Sequence, residues 1–447
     1  MADLDVHDAC PNSSTSLNGQ TSHFRWLILS LAFTITLINY LDRSAISYAK
    51  SALQKEFYFN DAQFGFVAGA FGIGYMIMTV GGGILVDRYG AHKVWTTAAV
   101  LWSSCTACMG LAFNVPLLFM LRTLLGIAEG PHFPSLAKVV ADWLPSTERG
   151  RATSIGLAAV PISATIGGPL LATLMTTVGW KVMFVILGAM GIAWAVVWFF
   201  VYKDYPEACK YVSRQELRLI RDGQPQEREM DLEKVRSHHL SKQKTSWRFI
   251  LLDPSLMSNN FAFFSFGYLL FFAQLWLPGY LEETYHLHLK EVGVFVIAPW
   301  LTAAILMPLA GWLSDWLWIK TGSCRIARTH LIWSCQLLSA LCFVPVIFTH
   351  SLEVSIVMIS LGIGIGLMPN GAFYALNCDL AKDRAGTSIG VMDCFFAAAG
   401  ILAPVLTGLL STHYGNFQAA FGLLAFLSIT SAIAVLVFQH PDAPQHI

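Results

Sequence analysis

Long apolar runs, rather than short alternations, organise this chain. Stretches of about 20 apolar residues are long enough to cross a bilayer at 1.5 Å per residue. Twelve are legible, near 26–49, 63–86, 93–112, 115–141, 153–178, 180–202, 255–281, 291–318, 329–348, 352–378, 387–412 and 417–438. One long polar interruption, residues 203–248, separates six helices from six. The expected organisation is a tail over 1–25, a six-helix bundle over 26–202, a linker over 203–254, a second bundle over 255–438 and a tail over 439–447. The expected fold class is an all-α membrane protein.

Composition agrees. With 55% hydrophobic and 13% charged residues and a mean hydropathy of +0.56, an ordinary soluble domain is excluded. Residues 1–22 lack the basic segment, short apolar core and small-residue site of a cleaved leader, so the first helix is expected to act as the insertion signal. With the N-terminus in the cytoplasm, 21 of the 28 Lys and Arg residues fall on that side and four on the other. That asymmetry obeys the positive-inside rule and puts both termini in the cytoplasm. A multi-pass protein of a bacterial inner membrane is the expectation. The linker's eleven basic residues stand beside eight acids, which favours a solvated segment over a nucleic-acid or lipid site. Ser213-Arg-Gln-Glu216 has capping-box spacing, so part of the linker should form a surface helix.

The halves repeat one another. Gly83-Ile-Leu-Val-Asp87 after helix 2 recurs as Gly311-Trp-Leu-Ser-Asp315 after helix 8, and Thr153-Ser-Ile-Gly156 recurs as Thr387-Ser-Ile-Gly390. Before each Thr-Ser-Ile-Gly run stands an acid–arginine pair, Glu148-Arg149 and Asp383-Arg384, and Pro131 in helix 4 matches Pro369 in helix 10. Two pseudo-symmetric six-helix bundles follow.

Several charges break the apolar runs. Asp42 and Arg43 lie in helix 1, Arg122 and Glu129 in helix 4. Ionisable groups at membrane depth are costly and survive facing protein or a wet cavity. Seven residues apart, Arg122 and Glu129 share a stripe but stand about 10 Å apart along the axis, which works against direct pairing. Helix 1 runs outward and helix 4 inward, so Arg43 and Arg122 can meet at one depth. Two guanidiniums repel unless an acid or an anionic ligand lies between them, and the planar fork suits a carboxylate. A purely structural salt bridge is the competing reading for Arg43 and for Glu129.

Two resemblances sharpen this reading. Gly83-x-x-x-Asp87-Arg88-x-Gly90-x-x-Lys93 resembles the helix 2–3 signature of the major facilitator superfamily, with Ala91 and His92 where a basic pair is usual. It implies the major facilitator fold, with Gly83, Asp87, Arg88, Gly90 and Asp315 forming a cytoplasmic gate whose charge-assisted bonds break on opening. Asn39-Tyr40-x-Asp42-Arg43, with Arg122-x3-Gly126-x2-Glu129-Gly130 and Glu148-Arg149-Gly150-Arg151, resembles the anion:cation symporter family. That family includes hexuronate, galactonate and glucarate transporters, sialin and the vesicular glutamate transporters. The resemblance implies that Arg43 and Arg122 recognise a carboxylate, that Asp42 and Glu129 carry protons, and that Tyr40 and Tyr75 line the pocket.

The second bundle offers polar groups instead of cations: Gln274, Asn370, Asn377 and Asp393 are candidates to meet substrate hydroxyls, each amide otherwise being interhelical glue. Asp393 is further expected to carry a proton or to accept a cationic or hydroxyl group. Helix 7 has no charge from Leu256 to Leu281, which disfavours an amino-dicarboxylate and suits a sugar acid. Cys105-Thr-Ala-Cys108 on an apolar helix reads as core packing, and Asn12-Ser-Ser on a cytoplasmic tail would go unglycosylated. There is no phosphate-cradling loop and no nucleophile–base set, so neither an ATP-driven pump nor an enzyme is expected. The chain reads as a monomeric proton-coupled importer of a small organic anion, needing no cofactor beyond the proton itself and no nucleic acid. Export is the alternative, although the expected glycine-proline run in helix 5 is reduced to Gly167-Gly168-Pro169. A transport-dead receptor would usually append a signalling domain.

Overall fold

A computed structural model describes residues 22–222, 247–381 and 384–442. The remainder of both tails, linker residues 223–246 and Asp383 lie outside the described residues. Those described form helices and no strand. Twelve spans are numbered here in chain order. The first bundle has α1 (Phe24–Tyr48), α2 (Asp61–Tyr89), α3 (Ala91–Met109) and α4, in two pieces, Val115–Glu129 and His132–Trp143. Its last two spans, α5 and α6, share one helical run, Ser146–Val201. That run folds back at Gly179, whose φ of 76° suits a residue without Cβ. In the second bundle Gly415, at φ 68°, makes the equivalent turn between α11 (Ala385–Tyr414) and α12 (Gln418–Phe438).

The other spans are α7 (Pro254–Leu275, continued by Leu277–Tyr285), α8 (Leu289–Phe295 and Ile297–Thr321), α9 (His330–Phe348) and α10 (Leu352–Leu367 and Asn370–Leu380). Proline explains the breaks in α4 and α10. Pro131 in α4 and Pro369 in α10 supply no N–H to the ladder, so each span restarts one residue later. The repeat read in sequence is thus a repeat of backbone irregularities.

Small residues let helices approach closely, the device that bilayer packing favours over apolar bulk. A Cβ on Gly126 in α4 would strike the Phe71 carbonyl of α2, and one on Gly74 would strike the Thr123 carbonyl. Between bundles, α2 meets α11 through Gly72 and Gly400, and α5 meets α8, where a Cβ on Gly168 would lie 2.8 Å from the Gly293 carbonyl.

The described hydrogen bonds and ion pairs between bundles gather at the end distal to the termini. Lys50 Nζ, fully buried, lies 2.8 Å from Asp61 Oδ1 and 2.5 Å from Glu283 Oε1 of the other bundle. Ser51 donates to Glu282 at 2.9 Å, Ser411 to Asp61 at 2.6 Å, and the Ala62 amide to Thr412 Oγ1 at 2.9 Å. At the end bearing the termini, a Cβ on Gly83, Gly150, Gly386 or Gly390 would meet nothing within 4 Å. The described polar contacts between the bundles thus fasten the distal end.

Residues 22–25 and 439–442 dock against the bundles, and the linker contains an anchored helix, Arg214–Asp222, where the capping-box spacing predicts one. Glu216 of that helix is buried. It accepts from Ser22 Oγ, from the Phe24 and Arg25 amides at 3.2 and 3.0 Å, and from Arg25 Nη1 at 3.2 Å. The capping box is half made: Ser213 Oγ accepts from the Glu216 amide at 3.1 Å, but Ser22 takes the reciprocal bond to the Ser213 amide. At the other terminus Asp442 accepts from Ser323 Oγ at 2.5 Å and from the Cys324 and Arg325 amides at 3.0 and 3.1 Å. Uncapped N–H groups at the start of the π-helical turn Arg325–Thr329, which leads into α9, recruit it.

Candidate functional site

Four ionisable side chains from α1 and α4 meet inside the first bundle. Arg43 Nε donates to Glu129 Oε2 at 2.5 Å, and both side chains are essentially shut from solvent. The Arg43 guanidinium carbon lies 4.7, 4.8 and 5.0 Å from the ring centres of Tyr40, Phe71 and Tyr75. Arg122 shares the same floor, its guanidinium carbon 5.3 Å from the Phe71 ring. The two cations therefore converge on Phe71, each stabilised by a ring face. Antiparallel α1 and α4 do bring them to one depth. Glu129 pairs with Arg43 across helices rather than with Arg122 along its own.

Much of this cluster's bonding capacity is unspent. Arg43 Nη2, Arg122 Nε and Nη1, Glu129 Oε1, both Asp42 oxygens and both amide atoms of Asn39 are buried without a well-formed hydrogen bond among the described residues, although Asn39 stands beside Glu129 and Thr106 beside Asp42. Buried polar atoms are nearly always satisfied, and orphaning a charged group costs on the order of 3 kcal/mol or more. Eight such atoms within one cluster mark a place built to take an anion, water or a proton.

The kink positions this cluster. Just past Pro131, buried His132 places Nδ1 3.2 Å from Trp95 Nε1, which donates to it, and Nε2 3.2 Å from Thr36 Oγ1. Since Trp Nε1 can only donate, Nδ1 is unprotonated and the ring is the Nε2–H tautomer. It fastens α4 to α1 and α3 one turn from Glu129.

Across the interface, Tyr374 of α10 donates to Asp393 Oδ1 of α11 at 3.3 Å. Tyr40 and Tyr75 of the first bundle are electrostatic neighbours of Tyr374, and Tyr75 of Asp393 as well. Gln274 points elsewhere. Its Nε2 donates to Ser44 Oγ at 3.1 Å, so in this conformation it ties α7 to α1 and lines a small cleft with Tyr48, Gly168 and Trp300. Asn377 accepts from Ser388 Oγ at 2.7 Å, joining α10 to α11 within the core. Asn370, first residue after the α10 break, is half-buried and makes no side-chain hydrogen bond among the described residues. Asp87, Arg88 and Asp315 are exposed, without an ion pair across the bundles among the described residues, and Gly90 begins the turn whose His92 amide donates to Asp204 at 2.8 Å.

Sequence reasoning missed Phe71, Tyr374 and Lys50. Phe71 stands four residues before Tyr75, on the same helical face, and that spacing was the available signal. No group of three or more His, Cys, Asp or Glu among the described residues could hold a metal.

The Major Facilitator Superfamily model matches residues 32–404 and 325–447. The chain belongs to that superfamily. Among its curated relatives, the hexuronate transporter of Bacillus subtilis is 30% identical over 93% of this chain and 94% of its own length. A probable galactarate/D-glucarate transporter of the same organism is 31% identical over 95% and 93%. A probable sulfoacetate transporter of Cupriavidus necator is 30% identical over 92% and 93%. In fold, this superfamily member is similar to the xylose transporter XylE from E. coli in an inward open conformation, with TM-score 0.72, 17% identity and 93% and 96% coverage. It also resembles an inward-facing bacterial homologue of the lysosomal transporter Spinster, with TM-score 0.69, 18% identity and 94% and 95% coverage. This superfamily member is a membrane transporter and not an enzyme, and its relatives match the anion:cation symporter branch suggested by the helix 1 and helix 4 motifs.

Proposed function

We propose that this transporter couples proton entry to import of a small hydroxylated monocarboxylate, such as a sugar acid, by alternating access across a bacterial inner membrane. The observation that carries the reading is the pair Arg43 and Arg122 on one aromatic floor, with guanidinium nitrogens unspent and Glu129 as resident counter-ion. Glu129 and a substrate carboxylate compete for Arg43. Protonating Glu129 removes the resident anion and offers both forks to the substrate; losing that proton restores the Arg43–Glu129 pair and expels the substrate. Asp42, equally buried and beside Thr106, is the second proton carrier of the same bundle. We read the end bearing the termini as cytoplasmic from the positive-inside asymmetry; with the bundles fastened at the other end, the conformation fits release of substrate to the cytoplasm, and Asp87, Arg88 and Asp315 stay assigned to the gate. The relatives' names support an organic acid, the hexuronate transporter's a sugar monoacid and the galactarate/D-glucarate and sulfoacetate transporters' only an organic anion.

One proton moving with a monoanion carries no net charge, whereas a second would add about 2.3 kcal/mol per 100 mV. The test is uptake into proteoliposomes under an imposed pH gradient, comparing a sugar acid with its neutral amide. The acid should accumulate and the amide should not; equal uptake of both would sink the anion reading. With Glu129→Gln, exchange of labelled for unlabelled acid should persist while pH-driven accumulation disappears. Accumulation intact in that variant would move the coupling proton elsewhere.

A further inference from the structure

The second bundle keeps its charges at helix ends, with one exception. Asp315 and Lys320 lie in the last turns of α8, Glu353 opens α10, and Asp379, near the end of α10, pairs with Arg328 at 3.2 Å. Asp393 stands alone in the ninth position of α11, inside the span. It is not shut away: the residue is only partly buried, and one oxygen is held by Tyr374 while the other has no hydrogen bond among the described residues. Tyr75 connects this acid to the arginines, because its ring lies 5.0 Å from the Arg43 guanidinium carbon and it neighbours Asp393 electrostatically. Tyr75 and Tyr374 thus stand between the cations of α1 and α4 and the acid of α11.

We propose that Asp393 sets substrate specificity by accepting hydrogen bonds from hydroxyls at the far end of a sugar acid and by rejecting acids that carry a second anionic group there. The inference rests on the anion reading above. A carboxylate has acceptor capacity only, so it pairs with adjacent hydroxyls and repels a second carboxylate or a sulfonate. Tyr374 fixes the orientation of the acid, leaving its second oxygen for the ligand. Monoacids such as aldonates and uronates satisfy both ends. Aldarates, which are dicarboxylates on the same carbon skeleton, satisfy only the arginine end.

The experiment measures ligand-induced thermal stabilisation and proteoliposome uptake with D-galactonate, D-galacturonate and galactarate. The native transporter should prefer the monoacids over galactarate by about 100-fold, the scale on which like-charge juxtaposition discriminates. Asp393→Asn should weaken monoacid binding and bring galactarate to within a few-fold of it. Tyr374→Phe, which keeps the charge, should weaken monoacid binding while galactarate stays excluded, and it serves equally if the asparagine variant does not fold. Comparable native uptake of galactarate and galactonate would overturn the assignment. So would a proton:substrate ratio altered by Asp393→Asn with selectivity unchanged, which would make Asp393 a coupling residue. Native protein indifferent to every carboxylate would remove the anion reading and this one together, whereas monoacid transport without discrimination removes only this one.

Discussion

Lys50 fastens the closed end, so removing its charge should open the transporter distally. Its ammonium is buried between Asp61 of its own bundle and Glu283 of the other, 4.8 Å from the Trp276 ring centre. Only the Glu283 contact and the ring contacts of α7 and α12 break when the bundles part. A charge pair about 4 Å apart is worth about 4 kcal/mol at an effective dielectric of 20. Glu283 is 39% exposed and regains water on opening, which halves that to about 2 kcal/mol. Lys50→Met should therefore raise the distally open population about 30-fold relative to the closed one. Glu283→Gln leaves the Lys50–Asp61 pair intact and should give a smaller rise. The assay is labelling of a single cysteine at Ala164, which lines the distal cleft, by a membrane-impermeant thiol reagent applied from that side in a cysteine-free background. A labelling rate unchanged in folded Lys50→Met protein would refute the idea that this cluster holds the bundles shut.

Other outcomes follow from named contacts. Arg122→Lys keeps the charge but loses the planar fork, and uptake of a monoacid at subsaturating concentration should fall by about tenfold or more, one lost charge-assisted bond. Gly126→Ala drives a Cβ into the Phe71 carbonyl beneath the arginine pair; destabilisation of about 2 kcal/mol or more should appear as poor recovery of folded protein on size-exclusion chromatography. Glu216→Ala strands the Phe24 and Arg25 amides and one arm of Arg25, costing about 2 kcal/mol, and a lowered melting temperature with monoacid transport retained would confirm an anchoring role.

Apolar length alone located twelve spans, since a bilayer imposes a minimum run of residues and the sequence satisfies it repeatedly. Pro131 and Pro369 were legible as a matched pair, but that they break α4 and α10 was not, since Pro161, Pro169, Pro308, Pro345 and Pro404 lie inside unbroken helices. The charged residues were conspicuous because hydrocarbon makes each one costly. Pairings were another matter. Several spans are apolar on every side, so periodicity does not say which face meets which neighbour. Only the packing of α1 against α4 gives Glu129 to Arg43, and only the approach of α2 puts Phe71 beneath both arginines. Gln274 and Asn377 read equally well as substrate contacts or as glue until helix neighbours assigned their hydrogen bonds to Ser44 and Ser388. Lys50 counted in sequence as one topogenic charge, and docking of the two bundles made it the buried centre of their contact. Composition and covalent chemistry are properties of single positions and short windows, whereas a binding site is a property of distances between helices far apart in the chain.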